Sequence, residues 1–417
     1  MQVPNTNHDL TAIDLFAGAG GISLGLQTAG FDVLLANDNN ISCSRTYQRN
    51  FPEKLFFEGD IRNLMGGQVL KMTGLRRGQL DLLIGGPPCQ GFSIIGKRVV
   101  LDPRNNLFKE FLRIGNDLRP KCMVIENVPG LVTLASGEIM NNLVVSIESM
   151  GYHIQFAELL TAQYGIPQMR WRMFFVAFRE DLGIAAGMGF PKPTHGRRGI
   201  GQLVPNCPIS AEDTDGFLTT RDAIGDLPPV NAGEEVHDYT GRPSGKYQIM
   251  MRDGLSRELH NHYAPNLSQR NLVRIAALKP GQDWRDLPRD LLPEGMKRAK
   301  RKDHTRRFSR MSWEGIPRSI ITRFRDPKSG EYTHPEQDRT ITIREAARIQ
   351  SFPDRFVFEA SHSEQYDQVG NAVPPILARA VATEVSACLR GEATHKLKNA
   401  FSRRPSLYQA RLCFDSL

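Results

Sequence analysis

A cysteine follows an apolar run and a rigid turn in residues 85–93, which have the sequence GGPPCQGFS. The preceding run, residues 80–84, has the length and apolarity of a buried parallel strand, so Cys89 should lie just beyond that strand's carboxyl end. Two prolines fix the backbone before the thiol, and Gly91 leaves the exit free to move, as a loop closing over a substrate requires. Cys89 is therefore a candidate nucleophile; the alternative is a small buried hydrophobe.

A carboxyl group, Glu126, ends another apolar run at residues 122–125. Burial at a sheet edge raises the pKa of a carboxyl group, which makes Glu126 a candidate general acid. The alternative is a sheet-end ion pair with Arg170 or Arg172. A thiol and an acid on neighbouring strand ends suit covalent attack on an electron-poor ring while a ring nitrogen is protonated.

A glycine-rich segment, residues 14–21 with the sequence DLFAGAGG, lies where a strand turns into a helix. Glycines at such a turn let a ligand approach the backbone closely. Asp38 follows about twenty residues later, at the end of the next strand, where a carboxylate can accept both hydroxyls of a ribose. These features do not separate a nicotinamide cofactor from S-adenosylmethionine, and a tight turn beside a surface acid is the structural alternative.

The elements that must position these residues alternate between short apolar runs and helical patterns, which predicts an α/β fold with a parallel sheet. Five strands are expected to end in polar or glycine-rich clusters at the same edge of the sheet. A further pair of strands follows them in the chain. The predicted strands are residues 12–16, 31–36, 55–57, 80–84 and 122–125, then 152–160 and 172–178.

Proline, glycine, histidine and arginine interrupt the pattern across residues 190–338, which indicates a second domain or a large insertion. Its densest basic stretch, residues 297–302, is KRAKRK, and it suits a solvated surface as well as phosphate contacts. Regular structure resumes where Thr342 and Glu345 form a capping box. Residues 368–375 are then predicted to open a last helix, 376–389.

The composition favours a polyanionic partner without requiring one, because 53 Lys and Arg oppose 45 Asp and Glu for a net charge of +8. The six cysteines are far apart and contain no CxxC pair, which argues against a zinc site or a dense disulfide framework. The first residues have no signal-peptide pattern, and no apolar stretch approaches a membrane span. We expect a cytoplasmic, nucleoid-associated protein that is not bound to a membrane.

Four separated segments resemble the ordered motifs of the DNA (cytosine-5)-methyltransferases. They are PPCQGFS at 87–93, ENV at 126–128, QMRWR at 168–172 and GNAV at 370–373. Residues 14–25 resemble the S-adenosylmethionine loop of that family, and the resemblance covers roughly residues 11–180 and 338–390. It implies a Rossmann-like S-adenosylmethionine-dependent methyltransferase fold, with a mixed sheet, helices on both faces and a smaller irregular target-recognition domain.

The resemblance also implies domain boundaries and a reaction. Residues 1–189 and 339–390 would form the catalytic domain, 190–338 the target-recognition domain and 391–417 a tail. Cys89 would attack carbon 6 of a flipped cytosine, Glu126 would engage N3, and Arg170 and Arg172 would anchor the base and the glutamate. S-adenosylmethionine would give its methyl group to carbon 5, without a metal ion.

By the same resemblance, Asp38 would bind the cofactor ribose, Asp60 and Ile61 its adenine, and the 370–373 segment would close the pocket. The implied cofactor-binding residues are Phe16, Ala17, Gly18, Gly20, Gly21, Asp38, Asn39, Asp60, Ile61, Pro87, Asn371 and Val373.

The implied partner is double-stranded DNA, and a bacterial-type enzyme would act either alone, as an orphan methyltransferase, or beside a cognate restriction endonuclease. Residues 221–228 and 280–288 are similar to segments of the maintenance methyltransferases of animals and plants, which suggests CG-containing targets. The long N-terminal regulatory domains of those enzymes are not expected here.

Two other functions stay open. One is methylation of a tRNA cytosine, although the Cys-Phe-Thr segment of that branch is not found. The other is an idle DNA-binding homologue, which would be expected to lose the thiol or the acid. A dehydrogenase leaves the PPCQ and ENV segments unexplained.

Overall fold

The structure is a computed structural model that describes residues 9–88, 107–131, 138–185, 188–196, 215–252, 258–299 and 306–392. Cys89, the basic residues 300–305 and the tail after residue 392 lie outside these described residues.

A seven-stranded mixed sheet forms the centre of the fold, with the strand order β3-β2-β1-β4-β5-β7-β6. Its strands are β1 (Leu10–Leu15), β2 (Phe31–Asp38), β3 (Leu55–Glu58), β4 (Leu82–Gly85), β5 (Cys122–Asn127), β6 (Tyr152–Leu160) and β7 (Trp171–Arg179). The first five strands are parallel, whereas β7 runs antiparallel between β5 and β6. All seven predicted strands are confirmed, with ends that differ by one or two residues.

The order of the parallel strands reverses between β1 and β4, since the chain builds outward from β1 on one side and from β4 on the other. In open α/β sheets, ligands bind in the crevice beyond the carboxyl ends of the strands at such a switch point. The glycine-rich segment follows β1 and the segment leading to Cys89 follows β4, so the topology brings both to this crevice.

Helices cover both faces of the sheet, as the resemblance implied. One face packs against α3 (Gly66–Thr73), α4 (Leu107–Leu118) and α5 (Glu138–Ser149). The other packs against α1 (Gly21–Thr28) and α12 (Pro375–Arg390), which lie side by side. A Cβ on Gly25 would overlap Ala378, so glycine at that position permits the close approach of these two helices.

By length and hydropathy alone, the helical stretch from His362 to Arg390 would suffice to cross a membrane. Core packing of α12 on α1 explains its apolar character without a membrane.

The irregular part of the chain contains short elements that the sequence did not predict. They are α6 (Thr220–Ile224), α7 (Lys246–Arg252), α8 (Gln269–Ala276), α9 (Glu294–Lys297) and the parallel pair β8 (Ser309–Arg310) and β9 (Glu331–Thr333). Helices α6 and α7 share a core with α2 (Ile41–Asn50) and α10 (Ile343–Ile349). A separate small core is formed by six buried residues of this region: Ile275, Leu278, Trp284, Leu287, Met296 and Phe308.

The capping box of α10 is confirmed, because Thr342 accepts a hydrogen bond from the Glu345 amide and the Glu345 carboxylate accepts one from the Thr342 amide. The predicted last helix, residues 376–389, is confirmed as α12, but the segment before it is not wholly a lead-in to that helix. Residues 368–371 instead end a separate helix, α11 (His362–Asn371), which a second capping box at Ser361 begins. Pro374 and Pro375 start α12, since proline has no amide to continue the preceding helix.

Candidate active site

The glycine-rich loop after β1 has a backbone that ordinary residues rarely adopt. Phe16 has φ +59°, Gly18 +55° and Gly20 +102°. A left-handed conformation costs free energy at a residue that has a side chain, so the surrounding contacts must hold Phe16 in place. One such contact is the Ala17 amide, which donates to the Asn37 carbonyl at 2.9 Å.

Asp38, at the end of β2, holds this loop in place through hydrogen bonds. Its Oδ2 accepts a hydrogen bond from the Gly18 amide at 2.8 Å, and its Oδ1 accepts one from the Asn40 amide at 2.9 Å. Burial raises the pKa of Asp38, while these amides act in the opposite direction. Each carboxylate oxygen can accept a second hydrogen bond, so the group can still bind hydroxyls of a ribose. The neighbouring Asn39 is exposed.

The far end of the chain packs against the same loop. A Cβ on Gly21 would overlap the carbonyl oxygen of Val373, so the residue that begins α1 touches the segment before α12. A Cβ on Gly20 would likewise meet the rings of Tyr47 and Phe51. On the open side, a Cβ on Gly18 would meet no described atom within 4 Å beyond those of its two chain neighbours. Asn371, at the end of α11, is exposed.

The end of β3 contributes the implied adenine residues. Ile61 is buried, and the Asp60 carboxylate accepts hydrogen bonds from the amide and the guanidinium of the exposed Arg62, each at 2.9 Å. The buried Asn37 donates to the carbonyls of Phe57 and Gly59, both at 2.9 Å, and thereby ties β2 to β3. Asn37 was not predicted as a site residue, although an amide in an apolar run before Asp38 was a usable signal.

The acid lies on β5 opposite an arginine of β7. Glu126 is paired with Phe174, so Arg172, two residues earlier on β7, is its diagonal neighbour on the same face of the sheet. Arg172 Nε lies 2.6 Å from Glu126 Oε1, and both side chains are almost entirely buried. Burial raises the pKa of Glu126 more than the cations of Arg172 and Arg170 lower it. The ion pair and the raised pKa therefore coexist.

Arg170 has a different set of partners. Its guanidinium donates to the carbonyls of Ile320 at 2.5 Å, Gly370 at 3.2 Å and Ala372 at 3.4 Å. The structure thus brings Arg172, rather than Arg170, into contact with Glu126. Arg170 joins β7 to the irregular region and to the segment between α11 and α12.

Gln168 makes similar connections, which its place in the chain does not indicate. Its side-chain amide donates to the Ile349 carbonyl at 3.1 Å and to Gln350 Oε1 at 2.8 Å, and its Oε1 accepts from the Ile320 amide at 2.9 Å. These three partners come from beyond residue 319, so Gln168 fixes the position of the later segments relative to the sheet.

The segment that leads to Cys89 runs beside the acid. A Cβ on Gly86 would lie 3.1 Å from Glu126 Oε2, and Asn127 Nδ2 donates to the Pro87 carbonyl at 3.2 Å. Pro87 itself is buried. The described residues immediately before the cysteine therefore contact the strand end that presents Glu126.

A buried network of charges connects α10 to the irregular region. Arg348 forms ion pairs with Asp226 and with Asp354, the latter at 2.6 Å, and Arg252 lies 2.7 Å from Asp226. Tyr239 donates to the same Asp354. The sequence pattern did not indicate this network, because its members are distant in the chain.

The fold is that of the S-adenosylmethionine-dependent methyltransferases. Its defining features are a glycine loop at the switch point, a carboxylate at the end of β2 and an antiparallel β7. A solved structure agrees with this class: a DNA modification methyltransferase encoded within an E. coli prophage superposes with a TM-score of 0.69 at 25% identity, covering 91% of this chain and 99% of that one.

Comparison with known sequences identifies the family. A family model described as C-5 cytosine-specific DNA methylase matches residues 10–387. Type II methyltransferase M.DdeI of Desulfomicrobium norvegicum is 35% identical, with 90% of this chain and 88% of that protein covered. Type II methyltransferase M1.HphI of Haemophilus parahaemolyticus is 36% identical, with 90% and 86% covered. The chain belongs to the C-5 cytosine-specific DNA methylases and is a DNA (cytosine-5)-methyltransferase.

Proposed function

We propose that Cys89 and Glu126 carry out methylation of a flipped cytosine within a specific duplex sequence. The observation that carries this assignment is the buried Glu126 carboxyl group, 2.6 Å from Arg172, at the strand end where Asn127 donates a hydrogen bond to the Pro87 carbonyl. A thiol and an acid that flank one space can act on two atoms of the same ring.

Each residue then has a defined task. The Cys89 thiolate forms a bond to carbon 6, and the electron pair of the 5,6 double bond moves to carbon 5, which would use that pair to form the bond to the methyl group. Burial raises the pKa of Glu126, which favours the protonated form that donates a hydrogen bond or proton to N3. Arg172 orients the Glu126 carboxyl group. Loss of the carbon 5 proton to a base then expels the thiolate and restores the double bond.

The cofactor site is proposed to be the crevice between the ends of β1 and β4. When bound, S-adenosylmethionine supplies the methyl group. The glycine loop is open at Gly18, and Asp38 has capacity for ribose hydroxyls, while Asp60 and Ile61 follow β3, where the adenine would bind. Val373 and Asn371 bound the site from the other end of the chain. This arrangement fits the cofactor that the family uses.

The irregular residues 190–338 are proposed to be the target-recognition domain, which would contact base edges in the major groove. The small core that contains Trp284 packs α8 and α9 together within this region. Of the basic stretch, Lys297 forms an ion pair with Glu294 at 2.6 Å, and Arg298 is exposed. The proposed phosphate contacts are made by Arg298 and its basic neighbours.

Relatives named Type II methyltransferases support a role in restriction and modification. We therefore assign the chain to the modification side of such a system, acting on chromosomal DNA in the cytoplasm, with a cognate endonuclease as its genetic partner. Methylation would protect the host's own copies of the recognition sequence.

The test is expression in a host that lacks cytosine methylation, followed by sequencing after chemical conversion of unmethylated cytosine. Protection of cytosines within one short motif is expected, together with its loss in the Cys89→Ala variant. Complete conversion of the DNA, with a soluble protein that binds S-adenosylmethionine, would contradict the proposal and direct attention to RNA substrates.

A further inference from the structure

Asp14 is a buried acid beneath the glycine loop for which the proposed mechanism has no role. It lies in β1, two residues before Phe16, and its side chain is fully buried. The Ser23 hydroxyl donates to Asp14 Oδ2 at 2.7 Å, and the Tyr47 hydroxyl donates to Ser23 Oγ at 3.0 Å. The chain of three side chains joins β1, α1 and α2 around the loop.

One oxygen of this carboxyl group has no partner. Asp14 Oδ1 is buried and accepts no hydrogen bond from the residues that the structure describes. A carboxylate in this state is under-stabilised, since burial without full hydrogen bonding costs free energy. A nearby positive charge would relieve the deficit.

The neighbours of Asp14 leave its pKa close to neutral pH. On the adjacent strands its pairing residues are Ala36 and Ile84, which are apolar. Burial is the largest influence and raises the pKa of Asp14 to about 7; the Ser23 hydroxyl and amide lower it, and the negative charge of Asp38 raises it. A further ionisable neighbour is the Tyr47 hydroxyl, whose own pKa is raised by burial.

We propose that Asp14 is a positioning residue of the cofactor site whose ionisation is coupled to the positive charge of the cofactor. S-adenosylmethionine carries a sulfonium charge that the product S-adenosylhomocysteine lacks. The ionised form of Asp14 therefore favours the substrate cofactor over the product. This inference rests on the proposed position of the cofactor beyond the end of β1.

The sign of the pH dependence follows from linkage. A bound cation stabilises the ionised carboxylate, so the pKa of Asp14 is lower in the complex than in the free protein. Affinity for S-adenosylmethionine is full above the free-protein value, near pH 7, and falls as the pH drops from there to the pKa of the complex. Within that interval the dissociation constant rises by up to about tenfold per pH unit. Protons are released on binding in the same interval.

The experiment is isothermal titration calorimetry of the full-length protein with each cofactor between about pH 5.5 and 8.5, in two buffers of different ionisation enthalpy. Binding of S-adenosylmethionine is expected to release protons and to weaken at lower pH, with a smaller effect for S-adenosylhomocysteine. Asp14→Asn should lose this difference. Ser23→Ala removes a hydrogen bond that lowers the pKa of Asp14, so it should move the transition to higher pH.

Asp81→Asn is the matched control, because Asp81 is another buried acid of the same sheet. Its partners Thr11 and Lys121 lie at the opposite end of the strands from the proposed cofactor site. This variant should retain the wild-type proton release. If Asp14→Asn does not fold, two other results test the role of Asp14. They are the shift of the binding transition to higher pH in Ser23→Ala and the difference in proton release between S-adenosylmethionine and S-adenosylhomocysteine.

The two proposals fail in different ways. Absence of binding by either cofactor would overturn the proposed cofactor site and the role of Asp14 together. Normal binding with equal proton release for both cofactors, or with unchanged release in Asp14→Asn, would overturn the role of Asp14 alone.

Discussion

Arg172 Nε lies 2.6 Å from Glu126 Oε1 across two antiparallel strands, and neither side chain is exposed to solvent to any large extent. The register of β5 and β7 makes these residues diagonal neighbours, so the contact depends on backbone pairing rather than on a flexible loop. An acid held in this way keeps one orientation through a catalytic cycle, which general acid catalysis requires.

Replacement of Glu126 by Gln should reduce turnover by about a hundredfold or more, the usual loss for a general acid. The amide preserves the shape of the side chain but cannot donate a proton. Methyl transfer to a duplex carrying the target motif under single-turnover conditions is the measurement. Glu110→Gln, which alters a partly exposed ion pair with Arg113, is the control and should behave as wild type. A near-normal rate for Glu126→Gln would reassign Glu126 to a structural role.

Replacement of Arg172 by Gln should lower turnover and also change its pH profile. The cation of Arg172 lowers the pKa of Glu126, so its removal should raise that pKa further above the ordinary value. The protonated acid is lost as the pH rises through its pKa, so the alkaline limb assigned to Glu126 should move to higher pH. The measurement is the pH dependence of kcat/KM. If the alkaline limb of the kcat/KM profile stays in place or moves to lower pH, Arg172 does not control the titration of Glu126.

Replacement of Gly21 by Ala should weaken both stability and cofactor binding. The added Cβ overlaps the Val373 carbonyl oxygen, and forcing a methyl group into a packed site costs about 1–3 kcal/mol. Denaturant unfolding and cofactor titration measure the two effects. Gly67→Ala in α3 is the matched control, since an added Cβ would meet no described atom within 4 Å beyond its chain neighbours and the backbone of its own helix. Equal behaviour of the two variants would contradict tight packing between α1 and the 370–373 segment.

The sheet and the parts of the site attached to it were predictable because their signals are local. Asp38 and Glu126 each follow a continuous apolar run, and the end of such a run marks the edge of a parallel sheet. The capping box at Thr342 is equally local. The helix α11 was missed because its sequence is mostly polar, and its start depends on the second capping box at Ser361.

Other features depend on contacts between distant residues, and no periodicity encodes them. Arg170 donates hydrogen bonds to carbonyls about 150 to 200 positions away, and the Asp14 side chain is linked through Ser23 to Tyr47 of α2, 33 positions later. The family resemblance implied a mixed sheet, but neither it nor the strand pattern predicted that β7 lies between β5 and β6.

Neutralisation of Lys297, Arg298, Lys300 and Arg301 should weaken DNA binding and reduce its dependence on salt. The slope of log affinity against log salt becomes shallower by about 0.9 for each cation that no longer neutralises a phosphate. Fluorescence anisotropy with a labelled duplex at several salt concentrations measures the slope. Neutralisation of Lys71, Arg76 and Arg77, a basic group at and after the end of α3, is the comparison and should leave the slope unchanged. An unchanged slope in the first variant would assign residues 297–302 to the solvated surface.

Replacement of Arg348 by Met should destabilise the protein by about 3–5 kcal/mol, because Asp226 and Asp354 would be left buried without their shared cation. Arg49→Met supplies the matched control: its ion pair with Glu359 is 3.7 Å long and largely exposed, so the expected cost is at most about 1 kcal/mol. Urea unfolding of both variants measures the difference. Because Arg348 joins α10 to the segment that contains Asp226, its loss should also loosen the irregular region, detectable as faster amide exchange there. Comparable destabilisation by the two variants would show that water enters the network and screens its charges.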